Sequence, residues 1–142
     1  MEITASHVTI RVTDVVRSER FYEVLGFSRF RLGNPDPSFN TLLEAPADHQ
    51  LAMVQVTNGA FKIELTQVPP AGGGPVTDAG PRWHLALRTP SLEGVAEAIV
   101  AAGGAIIQPT RLSNAGGDYV MCADPDGFRI LLIQAAAQPK AT

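Results

Sequence analysis

Three residues of this chain carry the right atoms for holding a cation: His7, Glu64 and His84. Two neutral imidazole nitrogens and one carboxylate oxygen suit Fe, Ni, Co, Zn or Mn. Three protein ligands leave coordination positions open for water and substrate, as a catalytic site requires and a closed structural site does not. Glu64 is the hardest of the three to explain otherwise. It lies between Ile63 and Leu65, so in a strand its side chain faces away from theirs. A carboxylate in such a strand is costly to bury unless it is paired or bound to a metal.

The elements that must position these residues emerge from a duplication. With His7 laid over His84, an offset of 77, His7-Val8-Thr9-Ile10-Arg11 matches His84-Leu85-Ala86-Leu87-Arg88. With Phe61 laid over Phe128, an offset of 67, Phe61–Gln67 matches Phe128–Gln134, and Glu64 falls on Leu131. The drop from 77 to 67 leaves about ten extra residues in the first copy, placed in Gly33–Gln50 by its Asn, Pro and Asp content. Each copy opens on an alternating apolar strand (Val8, Ile10, Val12; Leu85, Leu87). A helix follows, capped by Asp14 in one copy and by Ser91 in the other, and stopped by Gly26 and by Gly103-Gly104. Three more strands complete each copy. In the first they are expected near Ser28–Leu32, Leu51–Thr57 and Phe61–Gln67, with Asn58-Gly59 as a tight turn and a short extra strand near Phe39–Glu44. In the second they are expected near Ala105–Pro109, Tyr119–Ala123 and Phe128–Gln134, with Asp124-Pro125-Asp126-Gly127 as the turn. The reading is α+β: two tandem βαβββ modules, 1–67 and 82–134, a Pro- and Gly-rich linker 68–81 and a flexible tail 135–142.

Other residues have plainer readings. Tyr119 can orient a substrate or donate a proton, or pack with its polar tip outward. His49 lies in the extra segment and becomes a proton-transfer group if that loop folds over a cleft. Cys122 reads as a small buried hydrophobe, and Trp83 as a packing residue. Arg11 and Arg88 are repeat-equivalent; they pair with acids, face solvent, or hold an anionic substrate at a cleft rim.

Composition bounds the function. Among 142 residues, 14 acids against 11 bases give a charge of −3, which argues against nucleic acid as a partner. Hydrophobic residues at 45% indicate a globular chain, and no apolar run approaches the ~20 residues of a membrane span. A single cysteine forbids an internal disulfide and fits a reducing compartment. Met1-Glu2-Ile3-Thr4 lacks the basic and apolar regions of a signal peptide. A cytoplasmic protein with a small-molecule substrate is expected.

The chain resembles the vicinal oxygen chelate superfamily, which groups glyoxalases, bleomycin-resistance proteins and extradiol dioxygenases. The marks are His7 opening the first strand, Asp14-Val15-Val16-Arg17-Ser18-Glu19-Arg20-Phe21-Tyr22 leading into Leu25-Gly26-Phe27, His84 opening the second module, and Asp124-Pro125-Asp126-Gly127 before the last strand. The resemblance spans residues 3–134. It implies paired modules forming a U-shaped cleft around one divalent metal, a substrate that chelates the metal through two adjacent oxygens, and a homodimer. It also implies metal ligands at the positions of His7, Glu64, His84 and Leu131, and leucine cannot ligate. Three functions are therefore open. The leading one is a metal-dependent lyase or isomerase with metal ligands His7, Glu64 and His84 and catalytic residues Glu64 and Tyr119. The second is a non-haem iron dioxygenase cleaving a catechol-like ring, with the carboxylate in mirrored position. The third is a non-catalytic protein that binds a drug or metabolite, as bleomycin-resistance proteins do.

Overall fold

Alternating side chains and two capped helices build the same unit twice. The structure is a computed structural model that describes residues 2–42, 45–59, 61–68, 84–107 and 111–136. The chain divides into two units, Met1–Val76 and Thr77–Thr142.

In the first unit, β1 (Val8–Val12) leads into α1 (Val15–Val24), then β2 (Ser28–Gly33), α2 (Phe39–Leu42), β3 (Ala52–Asn58) and β4 (Phe61–Gln67). The sheet runs β1-β4-β3-β2, with β1 parallel to β4 and the other pairs antiparallel. In the second, β5 (Leu85–Arg88) leads into α3 (Leu92–Ala101), then β6 (Ala105–Ile106), β7 (Leu112–Asn114), β8 (Gly117–Ala123) and β9 (Arg129–Ala135). Its order is β5-β9-β8-β6, with β7 also on β8 and β5 parallel to β9. The mixed α+β class and the tandem βαβββ plan thus match the reading of the sequence.

Both helices start by the same device. Asp14 accepts from Arg17 N at 3.0 Å, and Ser91 accepts from Gly94 N at 3.5 Å. Gln67 Oε1 then accepts from Val15 N (3.0 Å), and Gln134 Oε1 accepts from Leu92 N (2.8 Å). Gln67 is the last residue of β4 and Gln134 the last but one of β9, the strands parallel to the opening ones, so each helix is tied to its sheet through an amide hydrogen that has no partner inside the helix. The helices stop at Gly26 and Gly103, whose φ values of 85° and 90° favour glycine.

One face of each sheet is closed by its helix. In the first unit Ile10, Val12, Val54, Val56, Ile63 and Leu65 of the sheet are buried, as are Phe21 and Tyr22 of α1. Phe21, Tyr22 and Phe27 stack edge to face at 5.2 and 5.9 Å. In the second, Val120, Cys122, Ile130 and Leu132 are buried with Leu92 and Ile99 of α3. No helix among the described residues is long and apolar enough to cross a membrane.

Several sequence expectations need correction. The extra strand expected near Phe39–Glu44 is the helix α2 as far as Leu42, with Glu44 outside the described residues. Asp36 causes this: its side chain accepts from Ser38 N (2.9 Å) and its carbonyl from Phe39 N (2.9 Å), which starts a turn where a strand would continue. Asn58 pairs with Phe61, so the hairpin turn sits one residue later than expected. The strand expected over Ala105–Pro109 ends at Ile106, and β7 was not foreseen. Trp83, Pro109, most of the linker 68–81 and all but the first two residues of the tail 135–142 lie outside the described residues.

Candidate functional site

Glu64 sits mid-strand on β4, on the face that α1 does not cover. Its register partners are Thr9 on β1 and Gln55 on β3. Gln55 Nε2 donates to Glu64 Oε2 at 2.8 Å, and Thr66 Oγ1 donates to Oε1 at 3.2 Å. Both donors are buried, at 6% and 0% exposure. His7 stands one residue before β1, with Nε2 3.4 Å from Glu64 Oε2. Ser6 Oγ is hydrogen-bonded to His7 Nδ1 at 2.8 Å. Side-chain exposure is 30% for His7 and 14% for Glu64, so solvent reaches the pair.

This geometry fits a metal half-site. Two ligand atoms, each about 2.1 Å from one ion, lie about 3.0 Å apart in octahedral and about 3.4 Å apart in tetrahedral coordination. When His7 ligates through Nε2, its Nδ1–H donates to Ser6 Oγ and fixes the ring. Gln55 and Thr66 take one lone pair on each carboxylate oxygen and hold its orientation. The sequence reading missed both. Their signal was parity and register: Thr66 shares a face with Glu64 two residues on, and Gln55 is set opposite by the Asn58–Phe61 hairpin.

The second unit carries the equivalent positions with different chemistry. Ala86 and Met121 are the register partners of Leu131, as Thr9 and Gln55 are of Glu64. Ile133 takes the place of Thr66. The whole polar network around Glu64, and not the carboxylate alone, is therefore replaced by apolar side chains. His84 is exposed and stands one residue before β5, as His7 does before β1. Tyr119 is half-buried on β8, opposite Ile133 and Leu112. Its hydroxyl lies so close to Gly116 that a Cβ there would be 2.9 Å away.

The structure thus brings His7 and Glu64 together in the first unit and places His84 and Tyr119 in the second. Among the described residues no three His, Cys, Asp or Glu side chains gather at one point. His49 is half-buried in the extra segment, and its carbonyl accepts from Asn40 Nδ2 at 2.7 Å. Cys122 is buried, donates to Ile130 O at 3.3 Å, and has its thiol pushed up to about 12 by burial and then by Asp124.

Similar solved structures share this architecture. A glyoxalase family protein from Bacillus cereus is 13% identical with a TM-score of 0.79, covering 96% of this chain and 97% of that one. A FosX fosfomycin resistance protein from Listeria monocytogenes, complexed with Mn(II) and 1S,2S-dihydroxypropylphosphonic acid, is 14% identical with a TM-score of 0.64. It covers 96% of this chain and 93% of its own. A glyoxalase I variant from Zea mays is 24% identical with a TM-score of 0.66; the match covers 94% of this chain and 45% of that longer one. These likenesses establish the fold. No curated protein matches the sequence. The model of the glyoxalase/bleomycin resistance protein/dioxygenase superfamily matches residues 4–132, and with the duplicated fold this shows that the chain belongs to that family, the vicinal oxygen chelate superfamily.

Proposed function

We propose that this protein is a metal-dependent enzyme of the glyoxalase-like type, moving a proton next to a carbonyl in lyase or isomerase chemistry. The observation that carries this is the His7–Glu64 pair at 3.4 Å, with Gln55 and Thr66 orienting the carboxylate. His7, Glu64 and His84 would hold one divalent ion from the series Fe, Ni, Co, Zn and Mn. When bound, that ion supplies a Lewis acid for two adjacent substrate oxygens. Solved relatives in the fold support this, the FosX protein with its Mn(II) among them.

The chain's own residues perform the rest. Ser6 keeps Nε2 of His7 free to ligate. Gln55 and Thr66 keep Glu64 from swinging away, so little reorganisation is needed when substrate arrives. Tyr119 offers a hydroxyl that can orient a substrate or donate a proton. A homodimer in the cytoplasm fits the family resemblance and the single buried cysteine.

Deuterium exchange tests the reaction class. Metal-loaded protein in D₂O, given dihydroxyacetone, is expected to speed exchange next to the carbonyl, and Glu64→Ala is expected to lose the effect. Exchange that is equal with and without protein contradicts it. The same donor set of two histidines and one carboxylate also serves non-haem iron oxygenases, which supports ring cleavage as a second reading. Oxygen uptake on a catechol panel by Fe(II)-loaded protein would favour that reading. A third reading, binding without chemistry, draws on the apolar surroundings of Leu131; thermal stability indifferent to chelator would favour it.

A further inference from the structure

On the helix-covered side of the sheets the two units differ at one place. In the first unit α1 and β2 are joined there by a fork, Arg29 Nε and Nη2 donating to Glu19 at 2.7 and 2.6 Å. Ala96 lies 77 residues after Glu19, at the equivalent position of α3. Ile106 pairs with Cys122 as Arg29 pairs with Val56, so Ile106 takes the place of Arg29. The fork has become an alanine and an isoleucine, which fill less space and cannot bridge helix to strand. Strand pairing thins at the same place. Val54 has Leu32 of β2 as its partner on that edge. Its equivalent Val120 has none among the described residues, because β6 stops at Ile106 and β7 starts at Leu112.

What the lost fork leaves is a cavity of about 430 Å³ beside α3. Leu92, Ala96, Ile106 and Val120 line it with apolar atoms, Leu92 and Val120 being buried. Its charged lining, Glu93 and Glu97 of α3 and Arg111 ahead of β7, is exposed and so forms the rim. Glu93 and Glu97 are four residues apart on the helix, where like charges are neighbours and repel. Neither carboxylate makes an ion pair among the described residues, with Arg111 or any other base. Two acids against one base leave the rim acidic. From this we infer that the cavity binds a small organic cation, an ammonium group on an apolar body. The body lies on Leu92, Ala96, Ile106 and Val120, and the ammonium meets Glu93 and Glu97, relieving their repulsion. The volume is in the range of small-molecule sites. Leu131 and Ile133 have the opposite parity to Leu132, the partner of Val120, so this site is on the other face of the sheet from them. It does not depend on the metal enzyme proposed above.

Hexylammonium and its neutral counterpart 1-hexanol are suitable probes, followed by methyl NMR of labelled Ala, Ile, Leu and Val. Hexylammonium is expected to shift Leu92, Ala96, Ile106 and Val120 saturably and to bind about tenfold more tightly than 1-hexanol. The double variant Glu93→Gln, Glu97→Gln is expected to bind hexylammonium no better than 1-hexanol. Ala96→Phe, which fills the cavity, is expected to lose both probes, with resolved methyl signals of Ile130 and Leu132 reporting that the unit is folded. The comparison of the two probes on the parent protein needs no variant. Equal affinities, shifts confined to Leu131 and Ile133, no saturable binding, or an indifferent double variant would each overturn the site.

Discussion

Glu64 is held by three neighbours at once: Gln55 at 2.8 Å, Thr66 at 3.2 Å and His7 at 3.4 Å. Partners that orient a metal ligand typically matter by about 10- to 100-fold in affinity. Gln55→Met, which installs the residue of the equivalent second-unit position, should weaken Mn²⁺ binding by about tenfold in calorimetry. An unchanged affinity would show that the amide orients nothing. Glu64 could be singled out in the sequence because a carboxylate between two core residues has few bland explanations. Gln55 was not legible, since its place opposite Glu64 depends on which residues close the hairpin. With Asn58-Gly59 as the turn, Gln55 would stand opposite Lys62; closure at Asn58–Phe61 moves its partner two residues on, to Glu64.

Elements were legible where side chains cap or stop them, and illegible where short segments take their form from local turns. Asp14 and Ser91 marked both helix starts, and the recurrence of Gln67 and Gln134 marked matching positions, at the end of β4 and one residue before the end of β9. The strand β7 has three exposed residues and so carries no burial pattern to read. In the first unit β2 is an edge strand tied to α1 by Arg29, whose Nε and Nη2 donate to Glu19 at 2.7 and 2.6 Å. This fork holds the Glu19 carboxyl below its usual value. A carboxyl with a lowered folded pKa adds stability above its ordinary range near ~4.3, and the gain is lost as pH falls through the lowered value. Glu19→Gln should therefore melt about 2 °C below the parent at pH 7, with the gap closing toward pH 3 in calorimetric scans. A gap that widens on acidification would contradict the assignment. In the second unit Gly117 has φ 144°, and a Cβ there would lie 2.2 Å from the Gln134 carbonyl oxygen. Gly117→Ala should cost about 3 kcal/mol or more in urea denaturation, through backbone strain and the separation of β8 from β9. A loss below about 0.5 kcal/mol, the range of neutral surface changes, would mean the strands approach less closely.

At the scale of the molecule, duplication explains both the fold and the division of chemistry between its halves. Two offsets in the sequence, 77 and 67, anticipate the strand registers: Thr9 meets Glu64 where Ala86 meets Leu131. Both copies carry a histidine before the first strand; the first has a carboxylate with its donors where the second has Leu131, Met121 and Ile133. The central proposal is that His7, Glu64 and His84 are ligands of a single ion. Titration of Mn²⁺ into the EDTA-stripped protein, followed by electron paramagnetic resonance, tests it most directly. The account predicts one bound Mn²⁺ per chain, with binding at least about a hundredfold weaker in each of His7→Ala, Glu64→Ala and His84→Ala. A parent that binds no Mn²⁺, or a His84→Ala variant that binds it as tightly as the parent, would contradict it.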